Sequence, residues 1–163
     1  MANEIVITVN GRTHHVAASP DTPLLYVLRN ELGLNGPQFG CGLEQCGVCM
    51  VLLGAKAVQS CKLAVSETTG AAITTLEGLM AGQELHPLQR AFLEEQAAQC
   101  GFCTNGMIIA AAALLAKNRH PTDQQIREAL EGNLCRCGAH VRVLRAVKRA
   151  ADLLAEEWGE SHD

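Results

Sequence analysis

Eight cysteines are the residues of this 163-residue chain best suited to chemistry, and they form two groups of four. The first group is Cys41, Cys46, Cys49 and Cys61, and the second is Cys100, Cys103, Cys135 and Cys137. The chain starts Met-Ala-Asn-Glu-Ile-Val-Ile, without the basic and apolar regions of a secretory signal, so we expect a cytoplasmic protein. Because cytosolic thiols stay reduced, metal binding is favoured over the alternative of four disulfides in an exported protein.

The first four cysteines have a C-x4-C-x2-C spacing with a fourth cysteine downstream, which is the ligand arrangement of plant-type 2Fe-2S clusters. Gly40, Gly42 and Gly47 flank these ligands and would let the loop wrap around a cluster while its N–H groups face the sulfurs. A structural zinc site is the alternative, although such sites more often use two C-x2-C pairs. The spacing therefore favours a cluster.

The second four cysteines form a C-x2-C and, about thirty residues later, a C-x-C. Both pairs lie beside predicted helix ends, so four thiolates could meet at one end of a helical bundle. Spacing alone leaves zinc nearly as good an interpretation as a cluster. The first half favours a second cluster, because a one-cluster electron carrier commonly passes its electron to another cluster.

The remaining residues show no sign of substrate chemistry within this chain. Two tetrathiolate sites use all eight cysteines, and no phosphate loop, Ser/His/Asp order or paired carboxylates stand out. A Rieske centre would need two histidine ligands, but we interpret the six histidines as surface or capping residues: His14, His15, His86, His120, His140 and His162. Arg142, Arg145 and Arg149 repeat along one helix face, which is either solvated or able to dock an acidic partner.

The first half has the pattern of an α+β unit. Alternating apolar residues on both sides of Asn10-Gly11 predict a hairpin, and Asp21 or Thr22 is expected to cap a helix over 23–32 that Gly33 ends. Residues 50–53 and 57–63 predict a second hairpin across Gly54, followed by a short strand over 73–76. Strand, strand and helix in this order open a β-grasp fold.

The second half has the pattern of four helices, over 87–97, 105–117, 123–131 and 141–157. Thr122 and Gln125 form a predicted capping box, and residues 107–116 are apolar on all sides, which places their helix at the centre. A buried stripe is predicted in the last helix, at Val141, Leu144, Val147, Ala151, Leu154 and Trp158. We expect two domains, 1–79 with a plant-type ferredoxin fold and 80–163 with a four-helix bundle, joined by a linker at 80–85.

Composition excludes some partners. A hydrophobic content of 48% with 18% charged residues is typical of a folded protein, while a net charge of −4 and a pI near 5.8 give no reason to expect nucleic acid or an anionic membrane surface. The longest apolar run, 107–116, is too short to span a bilayer. We therefore expect no nucleic acid and no membrane span.

Three segments carry a resemblance to a known family. GCGLEQCGVC (40–49), QCGFCTNGM (99–107) and NLCRCG (133–138) resemble the small iron-sulfur subunits of the xanthine oxidase family of molybdenum hydroxylases, and the likeness covers nearly the whole chain. Within it, DTPLL (21–25), AAQC (97–100) and NLCRCGAHV (133–141) are most similar to the nicotinate dehydrogenase branch, and next to isoquinoline 1-oxidoreductase. One departure is Met50, where the family usually has threonine, which puts the potential of the first cluster in question.

The resemblance implies two [2Fe-2S] clusters and a large partner subunit that holds a molybdopterin centre. The cluster at the second four cysteines would be proximal to the pterin, with Gln99 hydrogen-bonded to it, whereas from the residues alone Gln99 is an ordinary glutamine at a helix C-terminus. The cluster at the first four cysteines would be distal and would pass electrons to a flavin subunit or a cytochrome c haem domain. The expected enzyme is a molybdenum-dependent dehydrogenase or hydroxylase.

Electron counting gives the expected mechanism. Oxidation of substrate at molybdenum releases two electrons, while each cluster cycles by one, so two clusters in series remove the electrons singly. The expected reaction is hydroxylation of an N-heteroaromatic such as nicotinate. The alternatives are the same role in an aldehyde, other N-heterocycle or CO dehydrogenase, a free two-cluster ferredoxin, and a purely structural zinc protein.

Overall fold

A five-stranded sheet forms the first half of the chain. The computed structural model describes residues 3–160, and the side chains of residues 4–156. The strands are Asn3–Val9 (β1), Arg12–Ala18 (β2), Met50–Leu53 (β3), Lys56–Gln59 (β4) and Ala72–Thr74 (β5). They lie in the order β2-β1-β5-β3-β4, with β1 and β5 parallel and the other neighbours antiparallel. This confirms the predicted β-grasp architecture.

The first hairpin forms as predicted. Val9 pairs with Arg12 across a two-residue turn in which Asn10 has φ 51° and Gly11 has φ 74°. Two successive positive φ values are what a type I′ turn requires, and Asn-Gly is the pair that adopts them most readily. Ile7 and Val9 point into the core of this half and are each 1% exposed.

The first helix differs from the prediction at both ends. Leu24–Tyr26 (α1) is followed directly by a π-helical segment, Val27–Glu31, and Gly33 then has φ 66°. Pro23 precedes the helix instead of opening it, because its extended backbone pairs with Ala64 in a β-bridge. No side chain caps α1, so the predicted Asp21 or Thr22 cap is wrong.

The later strands are shorter than predicted. β4 ends at Gln59, because Ser60 turns away to donate its hydroxyl to the Cys49 carbonyl at 2.7 Å, and its own carbonyl accepts the N–H of Leu25. β5 stops at Thr74, and the next residues form a short 3-10 helix, Leu76–Leu79. Another 3-10 helix, Val65–Thr68, joins β4 to β5.

Four helices form the second half, which confirms the predicted class. They are Pro87–Glu94 (α2), Thr104–Lys117 (α3), Asp123–Ala129 (α4) and His140–Glu160 (α5). α2 ends three residues earlier than predicted, because Gln96 adopts φ 49° and its N–H donates to Leu93 O while Ala97 N–H donates to Phe92 O. These two bonds are a Schellman cap, formed here without the usual glycine.

α3 lies at the centre of the second half, as its apolar sequence predicts. Its residues from Asn105 to Ala112 are buried, and α2, α4 and α5 all pack around it. The buried stripe of α5 is confirmed at Val147 and Ala151, and Leu144 and Leu154 pack against the same core. It is wider than predicted, because Val143, Ala146 and Ala150 are buried too, and it does not include Val141, which is 62% exposed. The side chain of Trp158 lies outside the described residues.

The two halves are joined by a short connection. Ala81 and Glu84 pair with each other in an isolated β-bridge inside the predicted linker, after the 3-10 helix Leu76–Leu79 and before α2. The domain boundary at 79/80 stays a prediction. None of the helices in the described range 3–160 has the length and apolar character needed to cross a bilayer.

Candidate metal centres

The first four cysteines lie at one end of the sheet. Cys41, Cys46 and Cys49 belong to the loop that leads into β3, and Cys61 lies two residues beyond β4. Cys49 and Cys61 are buried beside Leu25, while Cys41 and Cys46 are partly exposed. The site therefore has a covered side, formed by the sheet and α1, and an open side, formed by the loop.

Backbone N–H groups surround the Cys41 sulfur. The N–H groups of Leu43 and Gln45 each donate to Cys41 Sγ at 3.3 Å, and the N–H of Cys41 donates to Cys46 Sγ at 3.4 Å. The donors from Gln45 and Leu43 lower the pKa of Cys41 to about 7. Burial has the opposite effect on Cys49 and raises its pKa to about 12.

Glycine is required in this loop for close approach. A Cβ on Gly40 would lie 2.8 Å from Cys46 Sγ and 2.6 Å from a methyl carbon of Val48. The loop thus folds over its own ligands with no room for a side chain at this position. The position of Gly40 beside Cys41 can be read from the sequence, but the neighbours it accommodates are visible only in the structure.

Three buried backbone N–H groups make the loop suitable for binding an anionic group whose sulfurs accept hydrogen bonds. Among the hydrogen bonds of the described residues, none has the N–H of Gly47, Val48 or Cys49 as its donor, although all three residues are buried. Buried backbone N–H groups almost always have a partner. A tetrathiolate [2Fe-2S] cluster, whose sulfurs accept hydrogen bonds, has the chemistry these donors need.

The second four cysteines lie before two helices. Cys100 and Cys103 lie between α2 and α3, and Cys135 and Cys137 lie between α4 and α5. Cys103 directly precedes the first residue of α3, Cys100 is exposed, and the other three are partly exposed. The structure therefore brings both pairs to the same end of the helical half.

Amide donors also shape this second group. Burial raises the pKa of Cys135, but the N–H groups of Ala139, Cys137 and Gly138 donate to its sulfur and bring the pKa below its ordinary value. Burial raises the pKa of Cys103 to about 12. Each group of four thus combines a cysteine whose thiolate is stabilised by backbone amides with one in an apolar setting.

The sulfurs of each group are arranged in pairs. Cys41 contacts Cys46 and Cys49 contacts Cys61 in the first group. In the second, Cys100 Sγ lies 3.4 Å from Cys137 Sγ, and Cys103 contacts Cys135. Two metal atoms side by side, each with two protein sulfurs, need this pairwise grouping. Within residues 3–160, no group of three or more Cys, His, Asp or Glu side chains is arranged to hold a single metal ion.

A set of contacts between the two cysteine groups was missed by the sequence analysis. Asn105 Nδ2 donates to Val48 O at 2.9 Å and to Met50 O at 3.1 Å, and the N–H of Leu134 donates to Cys46 O at 3.1 Å. Asn133 Nδ2 makes a longer contact with Gly47 O at 3.5 Å. An amide side chain inside an otherwise apolar helix was the available signal for Asn105.

Glycine also permits this contact between the halves. A Cβ on Gly106 would lie 2.0 Å from Gly47 O, and a Cβ on Gly47 would lie 2.5 Å from Gly132 O. Gly47 additionally has φ 74°. The first turn of α3 and the first cysteine loop are therefore in direct backbone contact.

Gln99 is exposed and lies next to Cys100, at the open side of the second group. It lies five residues beyond the end of α2, so the alternative of an ordinary helix C-terminal glutamine is wrong. Two exposed apolar side chains, Phe102 and Leu134, line the same cavity as Cys100 and are 48% and 60% exposed. A contact between Gln99 and a pterin stays a prediction.

The other singled-out residues lie away from the cysteines or play local roles. His86 caps α2 by accepting the N–H of Leu88 at its Nδ1, at 3.1 Å. Arg149 pairs with Glu94, with 3.2 Å between Nε and Oε2, so part of the arginine face of α5 is used within the chain. Met50, the departure from the family pattern, directs its sulfur toward Asn133 Nδ2 at 3.6 Å. His162 lies outside the described residues.

Comparisons with known families match both halves. Residues 7–76 match the family described as "2Fe-2S iron-sulfur cluster binding domain", and residues 75–148 match the "[2Fe-2S] binding domain". Together these matches include all eight cysteines. They support clusters over zinc in both groups.

Similar proteins extend over almost the whole chain. One nicotinate dehydrogenase subunit of Pseudomonas putida is 54% identical over 152 residues, which cover 93% of this chain and 97% of that protein. The alpha subunit of isoquinoline 1-oxidoreductase from Brevundimonas diminuta is 48% identical over 148 residues, covering 90% and 97%. The solved structure of quinoline 2-oxidoreductase from Pseudomonas putida 86 superposes with a TM-score of 0.90 at 34% identity, covering 95% of this chain and 97% of that one.

Proposed function

The chain belongs to the small, two-cluster [2Fe-2S] subunits of the molybdenum hydroxylases, and from this membership we propose that it serves an enzyme that hydroxylates an N-heteroaromatic such as nicotinate. Its role as the iron-sulfur electron-transfer subunit of a multi-subunit oxidoreductase follows from the family. The 54% identity to a nicotinate dehydrogenase subunit supports the substrate class. Because the reaction takes place on another subunit, the present chain contributes ligands, spacing and electrostatics.

We assign the cysteines of each group as cluster ligands, two to each iron. The proposed pairs are those in contact: Cys41 with Cys46, Cys49 with Cys61, Cys100 with Cys137, and Cys103 with Cys135. When bound, each [2Fe-2S] cluster takes up and releases one electron at a time, so the two electrons of a substrate oxidation are transferred one after the other. The amides at Cys41 and Cys135 stabilise the negative charge of the thiolates.

We assign the second group to the side of the chain that meets the molybdopterin subunit. Cys100 is exposed, and it lines a cavity together with the exposed apolar side chains of Phe102 and Leu134. Exposed apolar surface of this kind marks an interface with another protein. Gln99, exposed beside Cys100, is the proposed donor to the pterin held by that subunit.

We assign the first group to the side that meets the electron acceptor, a flavin subunit or a cytochrome c haem domain. Phe39 and Leu43 are 50% and 59% exposed beside Cys41, and the ring of Phe39 stacks on Tyr26 at 6.2 Å. These side chains offer an apolar surface at the open side of the loop. The proposed location of the assembly is the cytoplasm, where thiols stay reduced.

Metal analysis of matched ligand variants tests the cluster assignment. We expect about four irons per purified chain and two distinct EPR signals after reduction. Cys49→Ser and Cys103→Ser should each abolish a different signal and about half of the iron. A colourless protein with about two zinc ions would overturn the assignment.

Purification of the complex tests the substrate class. We expect the tagged chain to bring with it a molybdopterin subunit, and nicotinate to bleach the visible absorption of the complex in the absence of an acceptor. Bleaching by isoquinoline or by an aldehyde, but not by nicotinate, would refute the nicotinate proposal while keeping the family role. A chain that stays a monomer without any molybdenum partner would instead indicate a free ferredoxin.

A further inference from the structure

Asn105 joins the two cysteine groups from the inside. It lies in the first turn of α3, two residues after Cys103, and is 3% exposed. Its Nδ2 donates to the carbonyls of Val48 and Met50, which lie on either side of Cys49. One side chain of the second half thus holds the backbone on both sides of a ligand of the first half.

Other second-half groups bind the same loop from the same side. Leu134 N–H donates to Cys46 O at 3.1 Å, and Asn133 Nδ2 contacts Gly47 O at 3.5 Å. Asn105 Nδ2 donates to the next carbonyl, Val48 O. The three successive carbonyls of Cys46, Gly47 and Val48 therefore each contact a donor in the second half. Val48 O also accepts the N–H of Gln38 at 3.1 Å, so this carbonyl accepts two hydrogen bonds.

These carbonyls belong to the same peptide units as the N–H groups of Gly47, Val48 and Cys49, which donate to no acceptor among the hydrogen bonds of the described residues. A trans peptide directs its N–H opposite to its C=O, so Val48 O facing the second half makes the N–H of Cys49 face the other way. Hydrogen bonding at the carbonyl also polarises the unit and strengthens its N–H as a donor. The second half therefore fixes the direction of the loop amides and strengthens them.

We propose that Asn105 is a positioning residue through which the second half raises the reduction potential of the first-half cluster. N–H donors to cluster sulfurs stabilise the additional negative charge of the reduced state, so holding these amides in place favours reduction. The inference rests on the proposed cluster at Cys41, Cys46, Cys49 and Cys61. It makes the potential of one cluster depend on a residue in the domain of the other.

A purely packing role does not explain the choice of asparagine. Asn105 Oδ1 is buried without a hydrogen-bond partner among the described residues. An apolar side chain of similar volume would fill the space without leaving an acceptor unpaired. The two Nδ2 bonds are what asparagine adds at this position.

An EPR-monitored redox titration of the complete, cluster-loaded chain tests the proposal. Asn105→Leu removes both donors at nearly constant volume. We expect the one-electron equilibrium of the first-half cluster to shift about tenfold toward the oxidised form, which is 59 mV more negative for one electron. The second-half cluster should keep its potential, and the Cys49→Ser and Cys103→Ser variants assign the two signals.

Asn118→Leu is the matched control, since it makes the same substitution at the C-terminal end of α3, where Asn118 Nδ2 donates to Gln125 Oε1 at 3.1 Å and Oδ1 accepts the N–H of His120 at 3.1 Å. It should leave both potentials unchanged. Asn105→Ser keeps one hydroxyl donor and should give a smaller shift in the same direction, which decides the question if the leucine variant fails to hold iron.

Wild-type potentials in both Asn105 variants would overturn the proposal, as would equal shifts of both clusters or the same shift in Asn118→Leu. Failure of the proposed function gives a different result, because the wild-type chain would then lack two iron signals altogether.

Discussion

At the scale of single residues, backbone N–H groups donate hydrogen bonds to two of the proposed ligand sulfurs and to one carboxylate. Cys41 and Cys135 have such donors at their sulfurs. Glu77 is a carboxylate held in the same way: its Oε1 accepts the N–H groups of Asn35 and Gly36 at 2.8 and 2.6 Å, and its Oε2 accepts the Thr75 hydroxyl at 2.6 Å. It ties the segment before the first cysteine loop to the end of β5.

Glu77→Gln should therefore destabilise the chain. Burial raises the pKa of Glu77, but the hydrogen bonds from Thr75, Gly36 and Asn35 outweigh it and leave the pKa below the ordinary value of 4.5. Because the folded pKa is the lower one, this stabilisation is complete above about pH 4.5 and is lost as the pH falls through the folded pKa. We expect a loss of about 1 kcal/mol at pH 7 by urea unfolding, discounted for half exposure.

The pH dependence provides the check on this contribution. The difference between wild type and Glu77→Gln should narrow below pH 4.5, whereas a difference that stays constant to low pH would contradict it. Glu67→Gln is a suitable control, because Glu67 accepts one backbone N–H at an exposed site, from Ala64 at 3.1 Å. Its effect should be smaller.

At the scale of elements, the sequence predicted the turns and helix caps that depend on neighbouring residues, but not the features that depend on residues far along the chain. The Asn10-Gly11 turn and the Thr122 capping box formed as expected because each depends on a few neighbouring residues. The extended conformation of Pro23 and the early end of β4 depend on distant partners, namely the β-bridge to Ala64 and the bond from Leu25 N–H to Ser60 O. No pattern within those segments could show such partners.

Thr122→Ala should shorten or weaken α4. Thr122 Oγ1 accepts the N–H of Gln125 at 3.3 Å, and Gln125 Oε1 accepts the N–H of Thr122 at 2.9 Å. Loss of such a cap typically costs about 1 kcal/mol. Urea unfolding should show this loss with both clusters retained, and Thr122→Ser should restore most of the stability. An alanine variant as stable as wild type would show that the cap contributes nothing.

Gly106→Ala should separate α3 from the first cysteine loop. The added Cβ would collide with Gly47 O, so we expect a loss of about 1–3 kcal/mol despite the better helix propensity of alanine. Iron should be lost mainly from the first group, as measured by EPR. Gly132→Ala is the control, because a Cβ there meets nothing within 4 Å. Equal behaviour of the two variants would argue against a tight contact.

At the scale of the whole molecule, the two halves are built separately but meet at their cysteine loops. Both architectures and both groups of four cysteines could be predicted from the sequence, since residue spacing and hydrophobic periodicity are local properties. The sequence did not predict the contacts of Asn105, Asn133 and Leu134 with residues 46–50, because these join positions more than fifty residues apart. The pairing of the sulfurs was not predicted either, because cysteine spacing alone does not show which sulfurs of a group of four lie next to each other.

Separate expression of residues 1–79 and 80–163 tests how far the halves depend on each other. We expect the first fragment to lose iron faster than the complete chain, because the carbonyls of Cys46, Gly47 and Val48 lose their second-half donors. Iron content after desalting, compared with the complete chain, is the measurement. A first fragment that keeps its cluster as well as the complete chain would show that the loop is self-sufficient.

The backbone contact between Gly47 and Gly106 also restricts how this chain can change over evolutionary time. Each half has the outline of an exchangeable module, yet a first half borrowed from a single-cluster protein would bring a loop never selected against a neighbouring helix. Any side chain at either glycine would block the junction, and a changed loop would leave Asn105 facing the wrong atoms. Recombination at the linker would thus yield hybrids that fail at a place far from the crossover, and the two modules are expected to be inherited as one.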